Sequence, residues 1–230
     1  MQLLDSHGRT INYLRLSVTD RCNMRCFYCM PAAGIQWKDP AAVLRYEELL
    51  LIAETAVGMG IEKIRVTGGE PLIRPGIIEF MSNLARISGL QHLALITNGV
   101  LLGKMADRLY HSGVQRLNVS LDSLNPLRFS EITRGGELKQ VLAGLDAAER
   151  AGFPPPKINC VIMRGVNDTE IEDFAEMTRT RGNSIRFIEY MPAIKEEGWQ
   201  NLSISGSEIL GRLTARYQLE QIDKGPYAGP

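Results

Sequence analysis

Three of the chain's four cysteines, Cys22, Cys26 and Cys29, fall within eight residues of TDRCNMRCFYCMP (19–31). A thiolate is both a soft metal ligand and a nucleophile, so this crowding poses a choice among zinc, dithiol redox chemistry and iron. A structural zinc site closes on four tetrahedral ligands. Here the fourth is missing: His7 lies upstream, and Cys160 runs in phase with Ile158 and Ile162, where a cysteine packs as a small hydrophobe. A redox CxxC at Cys26 and Cys29 would open a helix after a strand in a thioredoxin-like pattern, which this sequence lacks. Thiolates are the characteristic ligands of iron–sulfur clusters, and a four-iron cube held by three of them leaves one iron open for a cofactor or substrate. CxxxCxxC directly after a strand suits that use.

The elements that must position such a centre alternate regularly. Strand-like runs RLSVT (15–19), KIRVT (63–67), LALIT (93–97), RLNVSLD (116–122), KINCVIM (157–163) and IRFIEYM (185–191) are separated by stretches with helical apolar spacing at 46–60, 75–88, 102–113, 138–152 and 168–182, and a last helix is expected near 205–216. Repeated strand–helix–strand units predict an α/β fold with a parallel sheet, open or curled into a barrel. Parallel strands buried on both faces read as continuous apolar runs, but most of these alternate. One face carries Arg15, Ser17 and Thr19, Lys63, Arg65 and Thr67, Arg116, Asn118, Ser120 and Asp122, Lys157 and Asn159, and Arg186. Leu16, Val18, Ile64, Val66, Leu117, Val119, Leu121, Ile158 and Ile162 form the other. A polar inner face implies a hollow barrel whose cations expect an anion, because burying unpaired charge is costly. A half-exposed open sheet with solvated charges explains the alternation equally well, and LALIT breaks it.

The composition bounds the function. Lys plus Arg and Asp plus Glu both number 26, so no net field draws the chain to nucleic acid or an anionic membrane. With 44% hydrophobic residues over 230 positions, a single domain with a sizeable core is expected. The first twenty residues carry no apolar leader pattern and no run reaches membrane-spanning length, so the chain is read as cytoplasmic, where thiols stay reduced.

CxxxCxxC after the first strand resembles the radical S-adenosylmethionine (radical SAM) superfamily. GRTINYLRLSVTDRCNMRCFYCMP (8–31), IRVTGGEPLIR (64–74), ITNG (96–99), LNVSLDSL (117–124), KINCVIMRGVND (157–168) and IRFIEYMP (185–192) together resemble the molybdenum cofactor biosynthesis protein A family, the GTP 3',8-cyclases. The resemblance implies a partial (β/α)6 barrel with a polar interior and a lyase of molybdenum cofactor biosynthesis. It implies a [4Fe-4S] cluster with one open iron that binds SAM. An electron passed to the sulfonium yields a 5'-deoxyadenosyl radical, which takes the hydrogen from C3' of the GTP ribose before that carbon attacks guanine C8.

Residue by residue, the resemblance implies Cys22, Cys26 and Cys29 as cluster ligands and Tyr28, Gly69, Ser120 and Met191 as SAM contacts. It places Arg15, Arg65, Thr97 and Lys157 at GTP. Lys63 and Arg186 join the triphosphate candidates on face alone, while Glu70, Asp122 and Glu189 could instead pair with the cations as a structural network. Family chains continue into a segment with three further cysteines for a second cluster. This sequence has only Cys160 after Cys29, so residues 1–222 are expected to form the core barrel and 223–230 the start of that segment. The expected partners are GTP and an external electron donor, in a monomer or homo-oligomer. A radical SAM enzyme for another substrate and a non-catalytic metal-cluster protein are the alternatives.

Overall fold

The computed structural model describes residues 3–191 and 198–222. The expected start of a C-terminal segment at 223–230 lies outside the described residues. Six strands, β1 (Tyr13–Ser17), β2 (Lys63–Thr67), β3 (His92–Thr97), β4 (Arg116–Ser120), β5 (Lys157–Ile162) and β6 (Ser184–Glu189), form one sheet in sequence order. Every neighbouring pair is parallel, so each connection is a crossover. The order ends at β1 on one edge and β6 on the other, which leaves the curve open.

The predicted helices appear as α1 (Tyr46–Gly58), α2 (Ile77–Ala85), α3 (Leu102–His111), α5 (Leu138–Arg150), α6 (Ile171–Arg181) and α7 (Gly206–Arg216), with an unexpected α4 (Pro126–Thr133) among them. Their apolar stripes share one core with the outer face of the sheet, in which Val18, Ile64, Val66, Leu95, Val119, Leu121, Ile158 and Ile162 are fully buried. Each such side chain contributes about 1.5–3 kcal/mol. Helix α4 begins because Asn125 accepts from the amides of Leu127 and Arg128 and Pro126 supplies the fixed φ of a first turn.

The inner face decides between the two readings of the strand alternation. Arg65 is 8% and Asn118 2% exposed although the apolar faces of the helices are spent on the other side. Only a sheet that curls over its own polar face buries them, so the fold is a partial barrel with a polar interior. Strand β6 ends earlier than expected, at Glu189. Tyr190 turns away into a small second core with Ile132 and Met163.

Candidate active site

The predicted site residues gather at the C-terminal ends of the strands and on the polar face below them, where α/β folds place their ligands. The cysteine loop follows β1 and is held on two sides. On one, the amides of Gly69 and Glu70 donate to the carbonyls of Thr19 (2.7 Å) and Arg21 (2.8 Å). On the other, the amides of Arg25 (3.2 Å) and Phe27 (3.0 Å) donate to the carbonyls of Thr133 and Ile132, the free C-terminal acceptors of α4. Arg134, the one non-glycine with positive φ among the described residues (53°), ends that helix and donates from Nη1 to the Met30 carbonyl at 2.7 Å. Sequence reasoning missed this second support, although Asn125–Pro126 signalled the helix that supplies it.

Tyr28 adds a third tie, its hydroxyl donating to Asp122 Oδ2 at 2.6 Å while Asp122 Oδ1 accepts from the Val161 amide at 2.9 Å. The buried Asp122 carboxyl is pushed up to about 6, by desolvation against the pull of those two donors. Asp122 therefore joins loop to sheet and does not neutralise a barrel cation. Glu70, 1% exposed, likewise accepts from neutral donors: the Leu72 amide (3.0 Å), the Thr97 hydroxyl (2.8 Å) and the Asn98 amide (2.7 Å). Thr97, expected at the substrate, thus has its hydroxyl proton committed to Glu70, and its oxygen accepts from the Gly99 amide. Ser120 ends β4 and is half-buried. Met191 stands beyond β6, 67% exposed and with no described contact to the other site residues.

All four cysteines are free thiols, and Cys160 is the buried core residue expected. Burial pushes the Cys22, Cys26 and Cys29 thiols up, Cys29 to about 11; Asp122 and the neighbouring sulfurs push Cys26 and Cys29 further in the same direction. Such thiols become thiolates only if positive charge arrives among them, which a metal centre supplies. Among the described residues no three His, Cys, Asp or Glu side chains close on a point fit for one metal ion. Three cysteines on one loop, partly exposed and with free thiols, are the donor type that iron–sulfur clusters take.

Below the loop, the polar face holds the predicted cations. Arg15 pairs in register with Arg65, Asn118 with Lys157, and Asn159 with Arg186. None of the ion pairs among the described residues engages Arg15, Arg65, Lys157 or Arg186. Arg65 lies over the Tyr13 ring, 5.0 Å from its centroid. Desolvation, then repulsion by Arg65, Lys157 and Arg186, pulls the Lys63 amine down to about 8. Lys157 is lowered for the same reasons. Four buried polar atoms of this face, Tyr13 Oη, Arg65 Nε, Asn118 Nδ2 and Asn159 Oδ1, have no hydrogen-bond partner among the described residues. Orphaned donors beside crowded cations mark a surface shaped for a polar anion. Tyr13, Asn118 and Asn159 add to the predicted set, and only the strand alternation could have pointed to them.

Comparison with known proteins agrees with this geometry. The radical SAM superfamily model matches residues 16–178. A GTP 3',8-cyclase of Geobacter sulfurreducens is 59% identical over all 230 residues, which span 71% of that protein. One from Alkaliphilus oremlandii is 46% identical over 223 residues, 96% of this chain and 70% of the relative. Among solved structures, Streptococcus suis SuiB bound to S-adenosylmethionine aligns with a TM-score of 0.68 at 15% identity, covering 89% of this chain and 48% of its own. An anSMEcpe structure with bound AdoMet gives 0.66 at 18% identity, covering 88% and 57%. The fold is thus that of these structures, and the chain belongs to the radical SAM superfamily and, within it, to the family of the GTP 3',8-cyclases.

Proposed function

We propose that this chain is the radical SAM barrel of a GTP 3',8-cyclase of molybdenum cofactor biosynthesis, which converts GTP to 3',8-cyclo-7,8-dihydroguanosine triphosphate. The observation that carries this reading is the juxtaposition of three thiols at one end of the barrel, Cys22 and Cys26 half-buried and Cys29 exposed, with a cation-rich lining below them whose buried polar atoms include several with no partner among the described residues. Cys22, Cys26 and Cys29 would hold a [4Fe-4S] cluster with one open iron, and Tyr28, Gly69, Ser120 and Met191 would contact SAM. Bound together, cluster and SAM supply one-electron cleavage that yields a hydrogen-abstracting radical. The cysteines of a reducing cytoplasm suit this role, and the electron comes from an external donor.

The protein's own residues position and shield. Gly69 has given its amide to Thr19, and the side of its missing Cβ is closed by Asp20 and Arg21, so its carbonyl is what it offers the methionine end of SAM. Arg15, Arg65, Lys63, Lys157 and Arg186 receive the triphosphate, the arginines through planar forks that match phosphate oxygens. Asn118, level with Lys157 in the sheet register, and Asn159, two strand positions nearer the thiols, face the substrate above the triphosphate. Thr97 serves by fixing Glu70 and the turn after β3. Anaerobic reconstitution with iron and sulfide, then dithionite, SAM and GTP, tests the reading: release of 5'-deoxyadenosine is expected, and a protein that binds only zinc and never releases it would refute it.

The lowered Lys63 amine gives opposite pH signatures to folding and binding. Its folded value, about 8, lies below the ordinary 10.5, so between those values the unfolded chain holds more protons. Through this group the ligand-free protein gains stability as pH rises across that window, and bears the full penalty below about 8. Triphosphate favours the charged amine, so GTP affinity falls as pH rises above about 8. Calorimetric titration in buffers of different ionisation enthalpy should find proton uptake on binding near pH 9, and clearly less in Lys63→Met, where the lowered Lys157 amine is left as the source.

A further inference from the structure

The roles proposed above leave one side chain at the cysteine loop without a task. Asn98, just past β3, points its carboxamide at Cys22, with Nδ2 3.8 Å from Sγ. The other hydrogen of that nitrogen goes to Asn23 Oδ1 at 2.7 Å. Asn98 Oδ1 accepts from the Val100 amide at 3.1 Å, which fixes which end of the carboxamide faces the sulfur. Its backbone amide is bound in turn to the buried Glu70. Three neighbours thus hold the group in one orientation. Cys22 also accepts from the Met24 amide at 3.4 Å. Among the described residues no side-chain amide reaches Cys26 or Cys29 in this way.

We infer that Asn98 is a positioning residue that raises the reduction potential of the cluster by donating an N–H···S hydrogen bond to the Cys22 thiolate. The inference rests on the proposed function, in which Cys22 is a cluster ligand. Hydrogen bonds to ligand sulfurs are among the levers by which a protein sets such a potential. The physical reason is the charge: one electron from an external donor makes the cluster and its thiolates more negative, so a donor hydrogen at sulfur stabilises the reduced form more than the oxidised one. Asn98 stands where the turn after β3 meets the Glu70 segment, so the same residue couples the ligand to the loop that carries Gly69 and Glu70.

A redox titration of the reconstituted 230-residue chain, followed by the electron paramagnetic resonance of the reduced cluster, tests this. Asn98→Leu removes the donor, and Asn98→Asp keeps the acceptor for Val100 while placing negative charge at the sulfur. With iron and sulfide content unchanged, the potential should fall from wild type to N98L and further to N98D. At the wild-type midpoint, the ratio of oxidised to reduced cluster in N98D should rise about tenfold, which is about 59 mV for a one-electron couple. If neither variant loads a cluster, Asn23→Ala carries the test: it keeps Asn98 and its bonds to Glu70 and Val100 but removes the acceptor that steers Nδ2, and its potential should also fall. An unchanged potential in the loaded variants means Asn98 is merely structural and overturns the inference. A wild-type protein that takes up no cluster would instead overturn the proposed function.

Discussion

Gly69→Ala abolishes cluster uptake while leaving the barrel folded. A Cβ at this position would stand 2.2 Å from the Arg21 carbonyl oxygen and 2.7 Å from that of Asp20. Both neighbours are backbone, so nothing can swing aside. The clash breaks the bonds by which Gly69 and Glu70 hold Thr19 and Arg21, and it lifts the segment that leads into Cys22. We expect a local cost of about 3 kcal/mol or more, concentrated in the cysteine loop. Gly69 follows β2, outside the registered strand pairs and outside the buried apolar core, so far-ultraviolet circular dichroism should be retained. Iron content after reconstitution should fall to background. A variant that loads iron and sulfide normally would show that the loop tolerates displacement and that the tight Gly69 contact does not matter.

Arg65→Met separates binding from stability by moving them in opposite directions. Arg65 is buried, its Nε has no hydrogen-bond partner among the described residues, and desolvation together with Arg186 and Arg15 disfavours its charge. In the ligand-free protein it is therefore an electrostatic cost that only a bound anion offsets. Met fills similar space without charge. GTP binding should weaken by about 3 kcal/mol, roughly a hundredfold in Kd, as expected when one partner of a desolvated charge pair is lost. The unliganded variant should melt at the wild-type temperature or above it. Unchanged GTP affinity, or a large loss of stability without ligand, would move Arg65 from the substrate site to the structural frame.

Much of this arrangement was legible in the chain, and the parts that were not share a physical reason. KIRVT became β2 (Lys63–Thr67) residue for residue, because its alternation of branched apolar and charged side chains suits a sheet with one dry and one polar face. The same alternation isolated Arg15, Arg65 and Lys157 before any contact was known. Helix α4 escaped because PLRFSEIT is short, exposes Leu127 at 78%, and has only Phe129, Ile132 and Thr133 buried. Its cap at Asn125 was the readable clue. The resemblance puts Gly69 at SAM, and the structure adds that Asp20 and Arg21 close over the side where its Cβ would stand, a tertiary approach that no local pattern encodes. Thr97 was placed at the substrate by resemblance, whereas its hydroxyl is turned to Glu70, 27 positions away.

What decides most is the state of the iron. Mössbauer and electron paramagnetic resonance spectra of the anaerobically loaded chain should be recorded with and without SAM. Three thiolates and one open site predict a single iron distinguishable from the other three, whose parameters shift when SAM is added, together with a changed signal from the reduced cluster. Four equivalent irons indifferent to SAM, or a protein that holds only one metal ion, would contradict the central role given to Cys22, Cys26 and Cys29.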